Sequence, residues 1–567
     1  MFRSVLTLLL IFSARYASGQ LFPPANYPRN IFRNPLDIPI SLAANFGELR
    51  TNHYHMGLDI RTAHRENLPV FAAADGYIYR IKIEPFGFGQ AIYIRHAGGY
   101  LTLYAHLNAF YPALAAWVKQ KQYEKERWDL TLDPPPGLFT VKKGDLIAYS
   151  GNMGGSQGPH LHFEIRTYPE DINLNPLLFG LPVADNTQPV FRSLAVYDRN
   201  RSFYEQTPFF IPVKGRSGRY GINLPVLICK TPNPGFGIVA YDTQTGSDNP
   251  NGIYEGTIYN NRQALSGFQM NRITYDETRG IDAHIDYSTH ALGGPYYQLL
   301  FRMPGYSHSI YRESTPGGNI NLEDGKLHII RIELKDAQGN RSYLEFNARY
   351  QPDTRTETDS PGKMFYPGMV DGIETPAVAF YLGEGSLYDS LHLNYQESAG
   401  QGLDMVSSLF QFGSSRVPLA DSMMVSIKLT KSINQKQRVL MQWTEASDFD
   451  VKKPAWLGEW ATAAFRSFGN FSLVLDTIPP VIRIPGAVEN ANLQRSSRIG
   501  VLVEDNYKKI KNFRATLDGK WLLFSNDKAK AFIYHFDEHC PPGKHELKIF
   551  VEDEAGNGSS LVLHFVR

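Results

Sequence analysis

The sequence predicts a mainly β protein of several domains: a β-rich N-terminal domain with one helical insertion, followed by β-sandwich domains of immunoglobulin type. Three observations carry this expectation. The 567 residues exceed what a single core organises, at roughly 100–200 residues per domain. Aromatic residues make up 13%, with 32 Tyr and 34 Phe, and these side chains suit a pleated, half-buried surface. The 48 Gly and 36 Pro divide the apolar runs into pieces too short for most helices. Hydrophobic residues at 43% and charged residues at 20% match a globular chain and argue against disorder. Lys and Arg total 57 against 56 Asp and Glu, so no basic excess supports a nucleic-acid partner.

Residues 1–19 read as a signal peptide: Arg3 supplies the positive start, residues 5–12 are mostly apolar, and Ala17-Ser18-Gly19 offers small residues for cleavage. A membrane helix needs about 18 or more apolar residues; neither this run nor any later one reaches that length. The expectation is an exported chain of the periplasm, cell envelope or cell surface, with no transmembrane segment. In the next domain, residues 34–180, short apolar runs at 70–73, 76–83, 91–95, 100–104, 146–150 and 160–166 predict strands. Residues 112–127 break the pattern. Pro112 opens a stretch with Leu114, Trp117 and Val118 at helical spacing, and the charged segment 119–127 is expected free at the rim of a groove.

Two later segments resemble each other. Asp185 to Phe191 parallels Asp476 to Ile482, and the hairpin tip Asp336-Ala337-Gln338-Gly339-Asn340 parallels Asp553-Glu554-Ala555-Gly556-Asn557. Leu547, Ile549 and Val551 alternate with Lys548, Phe550 and Glu552, the period of a half-buried strand. Residues 184–350 and 476–567 are therefore expected to be sandwiches, and 351–475 a further β-rich domain. Cys229 and Cys540 are the only cysteines; too sparse for a disulfide framework, they read as separate buried thiols.

Chemistry concentrates in the first domain. His55 and Asp59 stand four residues apart, and His160-Leu161-His162 lies in a predicted strand, where residues i and i+2 share one face. His106 ends another predicted strand. Three protein ligands with an open fourth position is how zinc is arranged for catalysis, and these residues can supply three and leave a histidine over. His53 competes as a ligand by the same strand argument and is read as a groove-edge residue. His64 and His96 are expected to be solvated. The stretch Gly151 to Gly158 lacks the Lys and Ser/Thr of a phosphate loop and reads as a turn.

These motifs resemble the lysostaphin/LytM-type zinc metallopeptidases, which cut cell-wall peptides. The HxxxD element is His55 to Asp59, the HxH element is His160 to His162, and Tyr104-Ala105-His106-Leu107 matches the isolated histidine between them. The resemblance covers only residues 34 to 180. It implies Zn2+ held by His55, Asp59 and His162, with His106 and His160 as catalytic histidines beside it, and peptidoglycan peptides as substrate. Where some relatives carry a Tyr before the HxxxD histidine, this sequence has Asn45-Phe46-Gly47. A zinc metalloendopeptidase acting on stem peptides or cross-bridges is the leading expectation. The alternative is a non-catalytic cell-wall-binding regulator of another hydrolase, which would be expected to have lost ligands. The C-terminal domains are read as the surface for a regulatory or wall-binding partner.

Overall fold

The computed structural model describes residues 21–352, 361–486 and 488–567; the expected signal peptide lies outside them. Strands β1 (Leu42–Ala44), β2 (Leu58–Arg61), β3 (Gly76–Ile83), β4 (Gln90–His96), β5 (Tyr100–Ala105), β6 (Leu130–Leu132) and β7 (His160–Thr167) form an antiparallel sheet in the order β1-β2-β7-β5-β4-β3-β6. Successive hairpins account for β3, β4 and β5. The turn into β5 places Gly98 and Gly99 at φ 77° and 78°, a region that costs glycine little. β7, the last of these strands in sequence, inserts between β2 and β5, which brings the HxH strand beside the HxxxD strand. Leu58, Ile60, Ile78, Ile81, Leu161, Phe163 and Ile165 fill the core beneath.

Helix α1 (Pro112–Lys125) forms between β5 and β6 with Pro in its first turn, burying Leu114 and Val118 as their spacing predicts. Its charged half is not free. Lys119 pairs with Asp537 at 2.6 Å and Glu538 at 2.8 Å, Tyr123 stacks on His539 with centroids 3.7 Å apart, and Glu126 pairs with Arg514. The helix docks the last sandwich instead of edging a groove.

Behind the first domain, β8 (Val190–Asp198) pairs with β9 (Pro234–Thr243), and β10 (His328–Lys335) forms a hairpin with β11 (Arg341–Tyr350). The core between these strands takes in Phe46, Tyr54 and Met56 from the first domain. Asn173–Leu174, paired with β7, pairs in turn with Arg272–Ile273. The expected division at residues 180–184 is therefore crossed by one strand pairing and by three side chains that join the core behind, while the first domain keeps a core of its own. Sequence periodicity could not foresee this, because Phe46, Tyr54 and Met56 sit in a short hairpin where no repeat develops. A third group of strands packs around Phe380, Phe410, Phe412, Phe465 and Phe471. The last hairpin, β12 (Lys544–Asp553) with β13 (Gly558–Val566), buries Leu547, Ile549 and Val551 in a core of its own. Cys229 and Cys540 are buried free thiols.

Candidate metal centre and its groove

The register of β2 against β7 sets Asp59 directly opposite His162, and residues so paired project from one face of the sheet. His55 arrives from the preceding hairpin, whose backbone is held by His55 N donating to Glu48 O at 2.8 Å. Between them Gly57 lies so close to β7 that a Cβ would stand 2.5 Å from Phe163 O. Only a residue without a side chain lets the HxxxD segment reach its neighbour there.

Three donor atoms converge. His55 Nε2 is 3.0 Å from Asp59 Oδ1 and 3.0 Å from His162 Nδ1, and His162 Nδ1 is 2.9 Å from Asp59 Oδ1. The far nitrogens decide the tautomers: His55 Nδ1 donates to Asn45 O at 2.8 Å, and His162 Nε2 donates to Glu164 Oε1 at 2.8 Å. Lone pairs therefore face one another, an arrangement that needs a cation or a proton between them. Zinc bonds of about 2.0–2.1 Å put the ligand atoms of a tetrahedron roughly 3.3 Å apart, so two imidazoles and a carboxylate at these distances fit that metal closely. Burial opposes the charge on Asp59, but His55, His160 and His162 around it hold its pKa well below the ordinary value. Arg50 stands 3.5 Å from the other oxygen, Asp59 Oδ2.

Behind His162 lies a network that the sequence reading passed over. Glu164 is fully buried and accepts from Arg166 Nε at 2.6 Å, Asn173 Nδ2 at 2.7 Å and Tyr275 Oη at 2.8 Å. Burial disfavours its charge, yet Arg166 and His162 lower its pKa to about 2. Glu164 and Arg166 follow His162 at i+2 and i+4, so the pleat that linked His160 to His162 also points to them. Tyr275 belongs to the sandwich behind, and nothing local in sequence marks it. Such partners orient a ligand histidine and typically carry 10–100-fold in affinity or activity. Tyr275→Phe is accordingly expected to weaken zinc binding about tenfold, measured by competition with a chromogenic chelator; unchanged affinity would leave Tyr275 as wall alone.

The metal-free centre also makes a prediction about pH. Burial lowers the pKa of His162, but Asp59 and Glu164 outweigh it and raise the value to about 9. A proton then occupies the centre below that pH, and zinc must displace it. Zinc affinity of metal-free protein is expected to rise about tenfold per pH unit from about 6 to 8, with proton release on binding. A flat profile would contradict the proton's place at His162.

His160 donates Nδ1–H to Gly158 O at 2.8 Å and turns Nε2 toward Asp59 Oδ1, 3.3 Å away. His106 donates Nδ1–H to Met153 O at 2.7 Å, and its ring centroid lies 4.7 Å from that of His160. Loop 151–158 thus aims both rings. It is clasped in turn from the last sandwich: Gly154 N donates to Asp527 Oδ1 at 2.8 Å, and Lys528 Nζ donates to Ser156 O at 2.7 Å. The five histidine and aspartate positions picked from sequence line one groove of about 1190 Å³, together with Arg50, Lys82, Phe88, Tyr275, Arg279 and Tyr296. His53 also lines it, bonded to Thr51 O, and His64 is exposed at its edge. His96 differs from expectation: it is 6% exposed, bridging Asp75 O and Thr102 Oγ1 inside the domain.

Comparison with known proteins bears on the same stretch. The model of peptidase family M23 matches residues 53–123 and 139–176, and that of the Zu5-like domain matches residues 363–476. The DD-carboxypeptidase/endopeptidase Mpg of Neisseria meningitidis is 36% identical over 140 residues, 25% of this chain and 26% of that protein. The peptidoglycan DD-endopeptidase ShyC of Vibrio cholerae is 30% identical over 162 residues, 27% of this chain and 30% of that protein. The match to these curated relatives thus spans less than a third of their own length. Among solved structures, the catalytic domain of lysostaphin from Staphylococcus simulans is similar at 21% identity, with a TM-score of 0.19, over 25% of this chain and 91% of that one. The gap at 124–138 in the family match falls on the end of α1 and the proline-rich stretch after it. Residues 53–123 and 139–176, which give the groove His55, Asp59, His106, His160 and His162, belong to a domain of peptidase family M23.

Proposed function

We propose that the chain is an exported zinc metalloendopeptidase hydrolysing peptide bonds in peptidoglycan stem peptides or cross-bridges. The observation that carries this reading is the meeting of His55 Nε2, His162 Nδ1 and Asp59 Oδ1 in a groove onto which His106 and His160 also turn. The named activities of Mpg and ShyC support the substrate class.

His55, Asp59 and His162 hold the metal, their orientation kept by Asn45 O and Glu164. When bound, zinc supplies Lewis acidity, polarising the scissile carbonyl and acidifying water toward a pKa of about 7. His160, with Nδ1–H committed to Gly158 O, keeps its Nε2 lone pair for the proton given up in the attack. Burial and the neighbouring His160 and His162 lower the pKa of His106 to about 3. It therefore enters neutral, with Nδ1–H held by Met153 O and the Nε2 lone pair free to share the proton that the attacking water gives up and to pass it to the leaving amine. Arg279 on the groove wall suits a peptide bearing a free carboxylate, while Lys82, also on the wall, is paired with Glu84 at 2.8 Å.

A non-catalytic regulator is less well supported, since the donor set and both histidines are complete. The first partner of the C-terminal domains is the chain's own loop 151–158; a wall-binding or regulatory partner beyond it remains part of this proposal. Digestion of purified muropeptides by the zinc-loaded full chain, with mass analysis of the products, tests the reading. Cleavage within peptides, abolished by chelation, is expected; zinc-loaded protein that cleaves no muropeptide would overturn it.

A further inference from the structure

The two segments that resemble each other in sequence come together in space in the same way. Asp185, just after the peptidase domain, meets Asp336 of the β10–β11 hairpin tip and Asp242 at the end of β9; one oxygen from each lies within 4.8 Å of the others. Asp476, just before the last sandwich, meets Asp553 of the β12–β13 tip and Asp505, again within 4.8 Å. The supporting bonds repeat. Asp336 Oδ2 accepts from Asn340 Nδ2 and Asp553 Oδ2 from Asn557 Nδ2, each at 2.7 Å. Those same amides reach Asp185 O at 3.3 Å and Asp476 O at 3.2 Å.

Three carboxylates so close repel strongly unless a cation or a proton joins them. A second observation says that something is owed here. Asp242 is 5% exposed and its Oδ1 has no hydrogen-bond partner; Asp476 is 2% exposed and its Oδ2 has none, nor does Asp505 Oδ1. A buried carboxylate oxygen left without a partner is costly. Around the first cluster, burial and then Asp336 and Asp185 push Asp242 up to about 8. At the second cluster Arg438 stands nearby, bonded to Asn557 Oδ1, which offsets part of its negative charge.

We propose that Asp185, Asp242 and Asp336 bind a calcium ion at the joint between the peptidase domain and the sandwich behind it, and that Asp476, Asp505 and Asp553 bind a second before the last sandwich. All-oxygen donors select a hard cation. Calcium accepts six to eight oxygens, mono- or bidentate carboxylates and carbonyls among them, in flexible geometry, whereas magnesium usually keeps several waters. A crowded, buried ring of carboxylates therefore suits calcium. Each ion would tie a linker residue to a hairpin tip and stiffen the joint between neighbouring domains.

The test is calorimetric titration of calcium chloride into the zinc-loaded full chain after removal of other metals, with thermal melting alongside. Two calcium ions per chain are expected, the tighter one at Asp242, with dissociation constants of about 10⁻⁴ M or below and a melting point that rises with calcium. Asp242→Asn and Asp505→Asn should each remove one ion. Asp242→Asn, freed of a buried carboxylate, should melt no lower than wild type in the absence of calcium while losing part of the calcium response; Asp185→Asn is the second probe of that site. Absence of calcium heat and of any melting shift at about 10 mM would overturn the proposal. So would an equal response to magnesium, or a melting point that falls as pH rises from about 4 to about 8 and levels off above, without regard to calcium, the mark of a shared proton. If only one of Asp242→Asn and Asp505→Asn loses an ion, the cluster of the other is refuted.

Discussion

His55→Ala is expected to leave a folded protein that holds zinc weakly and hydrolyses nothing measurable. Structural zinc sites bind with about 10–16 kcal/mol across four ligands, so one ligand carries roughly 3 kcal/mol, about a 10²-fold loss of affinity. The fold should persist, because Tyr54 and Met56 on either side keep their packing in the core shared with the sandwich behind. The same core gives the control. A fragment ending near residue 183 would expose Phe46, Tyr54 and Met56 and remove Tyr275 from Glu164, so it should fail to keep the metal without any change at the ligands. Stoichiometric zinc and full activity in His55→Ala, by metal analysis and muropeptide digestion, would remove His55 from the centre.

The second large effect separates metal binding from proton handling. His160→Ala and His106→Ala should each keep one zinc and lower kcat by about 10²–10⁴, the usual contribution of a positioned acid–base or charge-stabilising group. Both rings have Nδ1–H fixed on a backbone carbonyl of loop 151–158, so neither is needed to hold the ligands in place. Loss of zinc from His160→Ala would exchange the roles of the two histidines of the HxH element.

Much of this centre was legible because a strand has a period of two. His160 and His162 share a face for that reason, and the strands of residues 76–83 and 160–167 are bounded nearly where the apolar runs place them. Pro112 and its apolar spacing announced α1. The same period extends to Glu164 and Arg166, but their burial as a pair depends on Asn173 and Tyr275, which the strand pattern does not record. Tyr275, Asp527 and Lys528 were beyond reach for a different reason. Their contacts span 111 to 373 residues along the chain, and no local pattern records which distant loop will pack where. The reach of Phe46, Tyr54 and Met56 into the core behind was hidden likewise, since hydrophobic side chains around a hairpin of two-residue strands look alike whichever domain they serve.

The clasp between residues 527–528 and loop 151–158 has a consequence in time. Chains emerge from the ribosome N-terminus first, and domains fold as they appear. The metal ligands are all present once residue 162 has been made, and loop 151–158 is already held within its own domain by Gly155 N donating to Gly87 O at 2.8 Å; the clasp of residues 527–528 comes about 370 positions later. The final setting of the loop therefore waits on the folding of residues 476–567 against it, which makes the aim of His106 and His160 the last feature of the groove to be completed.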